Sequence, residues 1–188
     1  MCIVIDTDTL SRVFNNSNKE HPEFIPVYNW IIKGKGKMAI GGSKYDIELE
    51  AVTSLTKLIV ELSKANKVRI VDSDLVDRKE KELKVKVVHK DFDDPHIVAI
   101  VIVSGIHLIC THEKRAIPFL TRNDFYPGRR VPQIYSKSAN ANLLANNTYC
   151  RKCNITCKKT NKDTSSHLEA TKEQFTRKKK KYGYQISS

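Results

Sequence analysis

No run of about 18 apolar residues occurs in this 188-residue chain, so no transmembrane helix is expected. The amino terminus, Met-Cys-Ile-Val-Ile, meets an acid at Asp6. It lacks both the basic lead and the apolar length of a signal peptide, which makes the cytoplasm the expected location. The chain has no internal repeat. It also lacks an even set of cysteines: there are five, and without a secretion signal that count argues against a disulfide framework. Cys2 and Cys110 lie within apolar, strand-like runs and read as buried thiols.

What is there suffices for one domain of ordinary size and an appendage. Hydrophobic residues make up 40% of the chain, enough for a core. The formal charge of +12 is unevenly spread. Residues 150–188 hold 11 Lys/Arg against 3 Asp/Glu, whereas residues 1–149 carry a net of only +4. A basic tail of this kind suits attraction to a polyanion, with nucleic acid the commonest in the cytoplasm, or else a solvated end without a partner. From about residue 147 the composition turns to Lys, Thr, Ser and Asn. We therefore divide the chain into a domain at 1–146 and a basic Cys/Lys-rich tail at 147–188, expected to be flexible.

Strand and helix signals alternate along the first part. Residues 2–5 are continuously apolar, as in a strand buried on both faces, and a helix follows just past them. A second helix is expected over 22–32 and a short strand over 38–40. Gly41 and Gly42 then break the chain. Ser43 with Asp46 reads as a capping box for one long helix over roughly 44–64. Residues 68–71 suggest a strand, and the charged stretch 75–87 begins as a helix. Residues 95–104 are rich in β-branched side chains, yet Asp94, Pro95 and Gly105 suit an N-cap, a first helical position and a C-terminal cap, so a buried helix is expected. A strand over 106–110, a short helix opening at Thr111, an edge strand at 133–135 and a last helix at 138–144 complete the pattern. Strand–helix repetition argues for a parallel sheet covered by helices.

In such a sheet, sites form beyond the carboxyl ends of the strands. Four acids fall at suitable places. Asp6 ends the first strand. Glu113 stands three residues past strand 106–110, and Asp94 starts the buried helix before that strand. Glu48 shares a helix face with Val52, Leu55, Ile59 and Leu62, and a charge on a core-facing stripe is costly unless it is paired or binds a metal. Simpler roles exist for each: helix caps for Asp6 and Asp94, a helix-dipole contact for Glu113, and a solvated rim for Glu48. Their joint occurrence in one strand–helix frame favours a shared site. Mg²⁺ prefers hard oxygen ligands, a few carboxylates and substrate phosphates together, and a metal so held can activate water against a phosphodiester.

The same residues carry a family resemblance over about residues 1–135. Ile5-Asp6-Thr7-Asp8 resembles the opening motif of PIN domains. Tyr45-Asp-Ile-Glu48-Leu49 resembles their central glutamate motif. Asp94-Pro-His-Ile97-Val-Ala99 resembles the third, with Asp94 preferred over Asp93. Leu108-Ile-Cys-Thr111-His-Glu113 resembles the fourth, which usually carries Asp where this chain has Glu113. The resemblance implies a three-layer α/β/α sandwich with a mostly parallel sheet. It implies a Mg²⁺- or Mn²⁺-dependent endoribonuclease with Asp6, Glu48, Asp94 and Glu113 as catalytic metal ligands. Many small members are toxins, often homodimers, whose site is blocked by an antitoxin, so RNA and a protein inhibitor are the implied partners. Thr7, Thr111 and Lys44 are expected to contact substrate, with Arg177, Lys178 and Lys179 of the basic run tracking phosphates. A catalytically silent nucleic-acid-binding module and a nuclease acting on DNA in defence are the alternatives.

Two lesser patterns stay open. Cys150, Cys153 and Cys157 with His167 offer a zinc set, though zinc sites commonly use paired Cys-x-x-Cys and free thiols in a flexible tail fit as well. Lys33-Gly-Lys-Gly-Lys37 is no phosphate loop, because it lacks the Gly-Lys-Ser/Thr ending. Contact between it and an RNA backbone is a further expectation.

Overall fold

A computed structural model describes residues 1–51, 53–126, 128, 130–145 and 159–171. The apolar run at the start becomes β1 (Cys2–Ile5), every residue of it buried. Then follow α1 (Thr7–Phe14), α2 (His21–Ile32), β2 (Lys37–Ile40), α3 (Ser43–Glu50), α4 (Thr53–Lys64), β3 (Val68–Ile70) and α5 (Ser73–Lys86). The second half contains α6 (Pro95–Ser104), β4 (Leu108–Cys110), α7 (Ile117–Leu120) and β5 (Gln133–Tyr135). The five strands form one all-parallel sheet in the order β3-β2-β1-β4-β5, flanked by helices. The fold is therefore α/β with a parallel sheet, as the alternation of signals predicts.

The order has a consequence for function. The chain moves outward from β1 through β2 to β3, then returns to the other side of β1 for β4. Strand order thus reverses between β1 and β4. Their carboxyl ends leave a crevice there, because the connecting segments depart in opposite directions. Asp6 directly follows β1 and Thr111 directly follows β4, so both stand at its mouth. The Asp6 N–H donates to the Cys110 carbonyl at 3.0 Å, which ties the two strand ends together.

Helix α6 was the least obvious element, since its β-branched residues also suit a strand. Caps decide the outcome. Asp94 is the N-cap residue, Pro95 opens the helix, and Gly105 ends it with φ 68°. That left-handed conformation is open to glycine and strained for most other residues. Apolar on all sides, α6 is buried between α5 and β1.

Five expectations change. The long helix over 44–64 is two helices, α3 and α4, divided around Ala51. The capping box is absent: the α3 N-cap is Gly42, and Ser43 is helical, donating its N–H (2.8 Å) and its hydroxyl (2.5 Å) to Asp77. The last helix is a 3-10 segment, Ser138–Ala145, and residues 111–116 precede α7 without forming helix. Among the cysteines, Cys110 is a buried free thiol, but Cys2 is disulfide-bonded, which corrects its reading as a thiol. Among the described residues no helix is long and apolar enough to cross a membrane.

Part of the tail has a definite place. Residues 162–171 are helical, and Leu168 is fully buried. Glu169 pairs with Lys33 at 2.8 Å and His167 approaches Glu61 at 3.0 Å. This segment docks beside the loop that enters β2, at the amino end of the sheet. The Lys33–Lys37 loop lies at that same end, opposite the crevice. Lys37 is itself buried, its ammonium donating to Asn66 at 2.7 Å.

Candidate metal centre at the carboxyl end of the sheet

Three elements deliver the acids. β1 ends at Asp6, which is buried and serves as the N-cap of α1. One carboxylate oxygen accepts the Asp8 N–H at 3.4 Å, and the other accepts the Thr111 hydroxyl at 2.7 Å. Burial pushes the Asp6 carboxyl up, with help from the Asp8 charge and against the two hydrogen bonds. The helix-cap role expected for Asp6 therefore holds, and it coexists with a place in the crevice.

Glu48 arrives from α3. The turn before that helix is tight, since Gly42 has φ 87° and a Cβ there would meet Val76 Cγ1 at 2.5 Å. One turn inside α3, Tyr45 is fully buried and its hydroxyl donates to the Ile5 carbonyl at 2.6 Å. That bond fixes α3 against the end of β1, and Glu48 follows on the same helix. Its Oε2 accepts the Thr7 hydroxyl at 2.6 Å and lies 3.3 Å from His96 Nε2. Its Oε1 lies 2.9 Å from the Lys44 ammonium. Burial opposes ionisation of Glu48, yet the contacts with His96, Thr7 and Lys44 prevail and bring its carboxyl down to about 2.

Asp94 stands at the head of α6. An Asp at an N-cap normally accepts a backbone N–H of the first turn, but the Asp94 side chain makes no such bond. Its carboxyl is raised to about 7, first by burial and then by the charge of Asp6, with Asp93 and Glu48 adding to it against His96. The group is held near other carboxylates without the bond that would explain it structurally. A cap role alone does not account for this.

Glu48, Asp94 and His96 each offer one ligand atom, and these atoms lie within 4.8 Å of one another. His96 is wholly buried, and among the described residues neither ring nitrogen has a hydrogen-bond partner. The donor set of two carboxylates and an imidazole, with Asp6 adjoining, fits a divalent ion. An ion there would also offset the burial and the neighbouring carboxylate charge that raise Asp94 to about 7.

The other expected site residues divide. Thr7 and Thr111 both reach the site, where their hydroxyls orient Glu48 and Asp6, and Thr111 is fully buried. Lys44 reaches it as the ion-pair partner of Glu48, with about half its side chain exposed. Glu113 is not among the groups brought together. Its Oε1 accepts from the Arg115 Nε at 3.0 Å and from the Arg115 N–H at 3.2 Å, and these bonds hold its carboxyl down. Arg177, Lys178 and Lys179 lie outside the described residues, as do Cys150, Cys153 and Cys157. His167 is described, and its near neighbour is Glu61.

His96 is the site residue that the sequence reading passes over. The signal for it was present: one imidazole on a helix otherwise apolar all round, two residues after a candidate ligand. No family model, curated protein or solved structure matches this chain.

Proposed function

We propose that this chain is a divalent-metal-dependent nuclease of the PIN type that hydrolyses RNA phosphodiester bonds. The all-parallel sheet flanked by helices is compatible with the three-layer sandwich that the resemblance implies. One observation carries the reading: Glu48, Asp94 and His96 bring ligand atoms within 4.8 Å of one another at the strand-order reversal, while the Asp94 carboxylate makes no cap bond. Such crowding is costly for folding and becomes useful when a cation fills the space.

When bound, the ion would lower the pKa of a coordinated water and offset charge on the phosphate. The chain's own residues set the geometry. Glu48 and Asp94 would hold the ion. Asp6, fixed by Thr111 at the end of β1, would orient water beside them. Thr7 keeps Glu48 in one rotamer. The half-exposed Lys44 ammonium, paired with Glu48, could also meet a phosphate oxygen. In the hydrolysis water oxygen would attack phosphorus as the bond to the leaving oxygen breaks, the water's proton passing to solvent or a site carboxylate and the leaving oxygen taking a proton from solvent.

A second reading has its own support. Glu113 is bonded to Arg115 and is not among the groups gathered within 4.8 Å, which suits a nucleic-acid-binding module with an incomplete site. Cleavage assays separate the two. Single-stranded RNA and DNA of equal sequence are incubated with Mg²⁺ or Mn²⁺ and with the parent chain, Asp6→Asn or Glu48→Gln. The nuclease reading expects metal-dependent cleavage that both variants lower by more than about 100-fold, beyond the usual cost of losing an outer-shell group. Equal behaviour of parent and variants would refute it. RNA cut in preference to DNA supports the ribonuclease form. A toxin role with a blocking antitoxin, and a homodimeric state, rest on the resemblance alone.

A further inference from the structure

His96 has no part in the carboxylate chemistry just described, yet it is wholly buried at the site. Its side chain is 0% exposed. Among the described residues neither Nδ1 nor Nε2 has a hydrogen-bond partner, and the one polar approach is Nε2 to Glu48 Oε2 at 3.3 Å. Buried polar atoms are nearly always satisfied, so two orphaned nitrogens on one ring need a reason. The ring is also held in place. It packs edge-on against Tyr45 at 6.2 Å between centroids, and the Tyr45 hydroxyl is bonded to the end of β1.

We propose that His96 is a nitrogen ligand of the ion at this site, through Nε2, and that the site therefore prefers a divalent transition ion to Mg²⁺. This rests on the metal-dependent reading above. The spacing supports it. Two ligands at bonds of about 2.1 Å stand about 3.0 Å apart at a right angle and about 3.4 Å apart at the tetrahedral angle. The Nε2–Oε2 separation of 3.3 Å falls between these values, and Asp94 offers a carboxylate oxygen within 4.8 Å of a ligand atom of each residue. A single ion can thus touch all three groups with small side-chain adjustment. Carboxylates with water suit Mg²⁺, whereas an imidazole donor adds affinity for transition ions and little for Mg²⁺. The α6 backbone makes the arrangement possible: Asp94 at the cap and His96 two residues on both stand at the head of the helix. A merely structural histidine, positioned to orient Glu48, would leave ion preference unchanged.

Mn²⁺ is the probe, used with the full chain. Titration calorimetry measures Mn²⁺ and Mg²⁺ affinities for the parent and for His96→Gln, which keeps a polar side chain. Pulsed electron paramagnetic resonance on the Mn²⁺-loaded parent, with histidine alone labelled with ¹⁵N, reads direct nitrogen coordination without any variant. The expected result is one Mn²⁺ per chain with a ¹⁵N coupling, and a Mn²⁺-to-Mg²⁺ affinity ratio that falls on the order of tenfold in His96→Gln. One Mn²⁺ per chain without nitrogen coupling would overturn the ligand role of His96 and leave the nuclease reading intact. Failure to bind any Mn²⁺ at one per chain would remove both.

Discussion

Asp94 is placed where its backbone serves the fold and its side chain does not. The residue starts α6, yet the carboxylate forgoes the cap bond and lies within 4.8 Å of ligand atoms of Glu48 and His96. Burial and its neighbours hold that carboxyl at about 7, against an ordinary value of 3.8. The folded chain therefore keeps a proton that the unfolded chain gives up between about pH 4 and pH 7. Across that window the metal-free protein should lose stability as pH rises. Thermal melts of the metal-free chain at pH 5.5 and pH 8 check this. Asp94→Asn should flatten the pH dependence and melt higher than the parent at pH 8, while losing metal-dependent cleavage. A variant less stable than the parent at pH 8 would mean that Asp94 serves packing. Glu48 contributes in the opposite sense. Its carboxyl lies at about 2, so its stabilising contacts are complete above the ordinary value of 4.5 and are lost as pH falls toward 2.

At the scale of elements, the turn between β2 and α3 decides where Glu48 stands. Gly42 has φ 87°, and a side chain there would press on Val76 within 2.5 Å. Gly42→Ala should destabilise the fold by about 1–3 kcal/mol, from backbone strain and overpacking together, as read by urea unfolding. It should also weaken metal binding, because α3 carries both Tyr45 and Glu48. Unchanged stability would show that this turn has slack. The same region shows what the sequence could and could not convey. Periodicity sets Glu48 on one long-helix stripe with Leu55, Ile59 and Leu62, but those residues belong to α4. Ala51 bonds back to Ile47 and Leu49, and the Thr56 hydroxyl donates to the Leu49 carbonyl at 3.1 Å. These local bonds satisfy the end of α3 and let the chain turn, and periodicity alone cannot register them. In α6 the caps at Asp94 and Gly105 were visible in the sequence and gave the right element. The approach of His96 to Glu48 was not visible, because it depends on how α6 meets α3 across the crevice.

At the scale of the molecule, the described part of the tail and the acidic crevice lie at different ends of the sheet. The acidic crevice opens at the carboxyl end of the sheet, while helix 162–171 docks at the amino end through Lys33 and Glu61. Most of the net charge belongs to residues 150–188. If the run Arg177–Lys181 meets RNA phosphates, binding should weaken steeply with salt. Each phosphate neutralised on a single strand contributes about 0.7 to the slope of log affinity against log salt. Replacing these five residues by Gln should lower that slope by as much as about 3.5 and reduce RNA affinity. It should leave the metal affinity of the crevice unchanged. An unaltered slope would assign RNA contact to the body of the chain.

The claim beneath all of this is that Asp6, Glu48 and Asp94, brought from three distant stretches of chain, enclose one divalent ion. Anomalous diffraction from crystals soaked in Mn²⁺ tests it most directly. The account predicts one strong peak at the carboxyl end of β1, within bonding distance of Glu48 and Asp94 and adjoining Asp6. A map without a peak in that crevice, or with manganese bound only elsewhere on the protein, would contradict it.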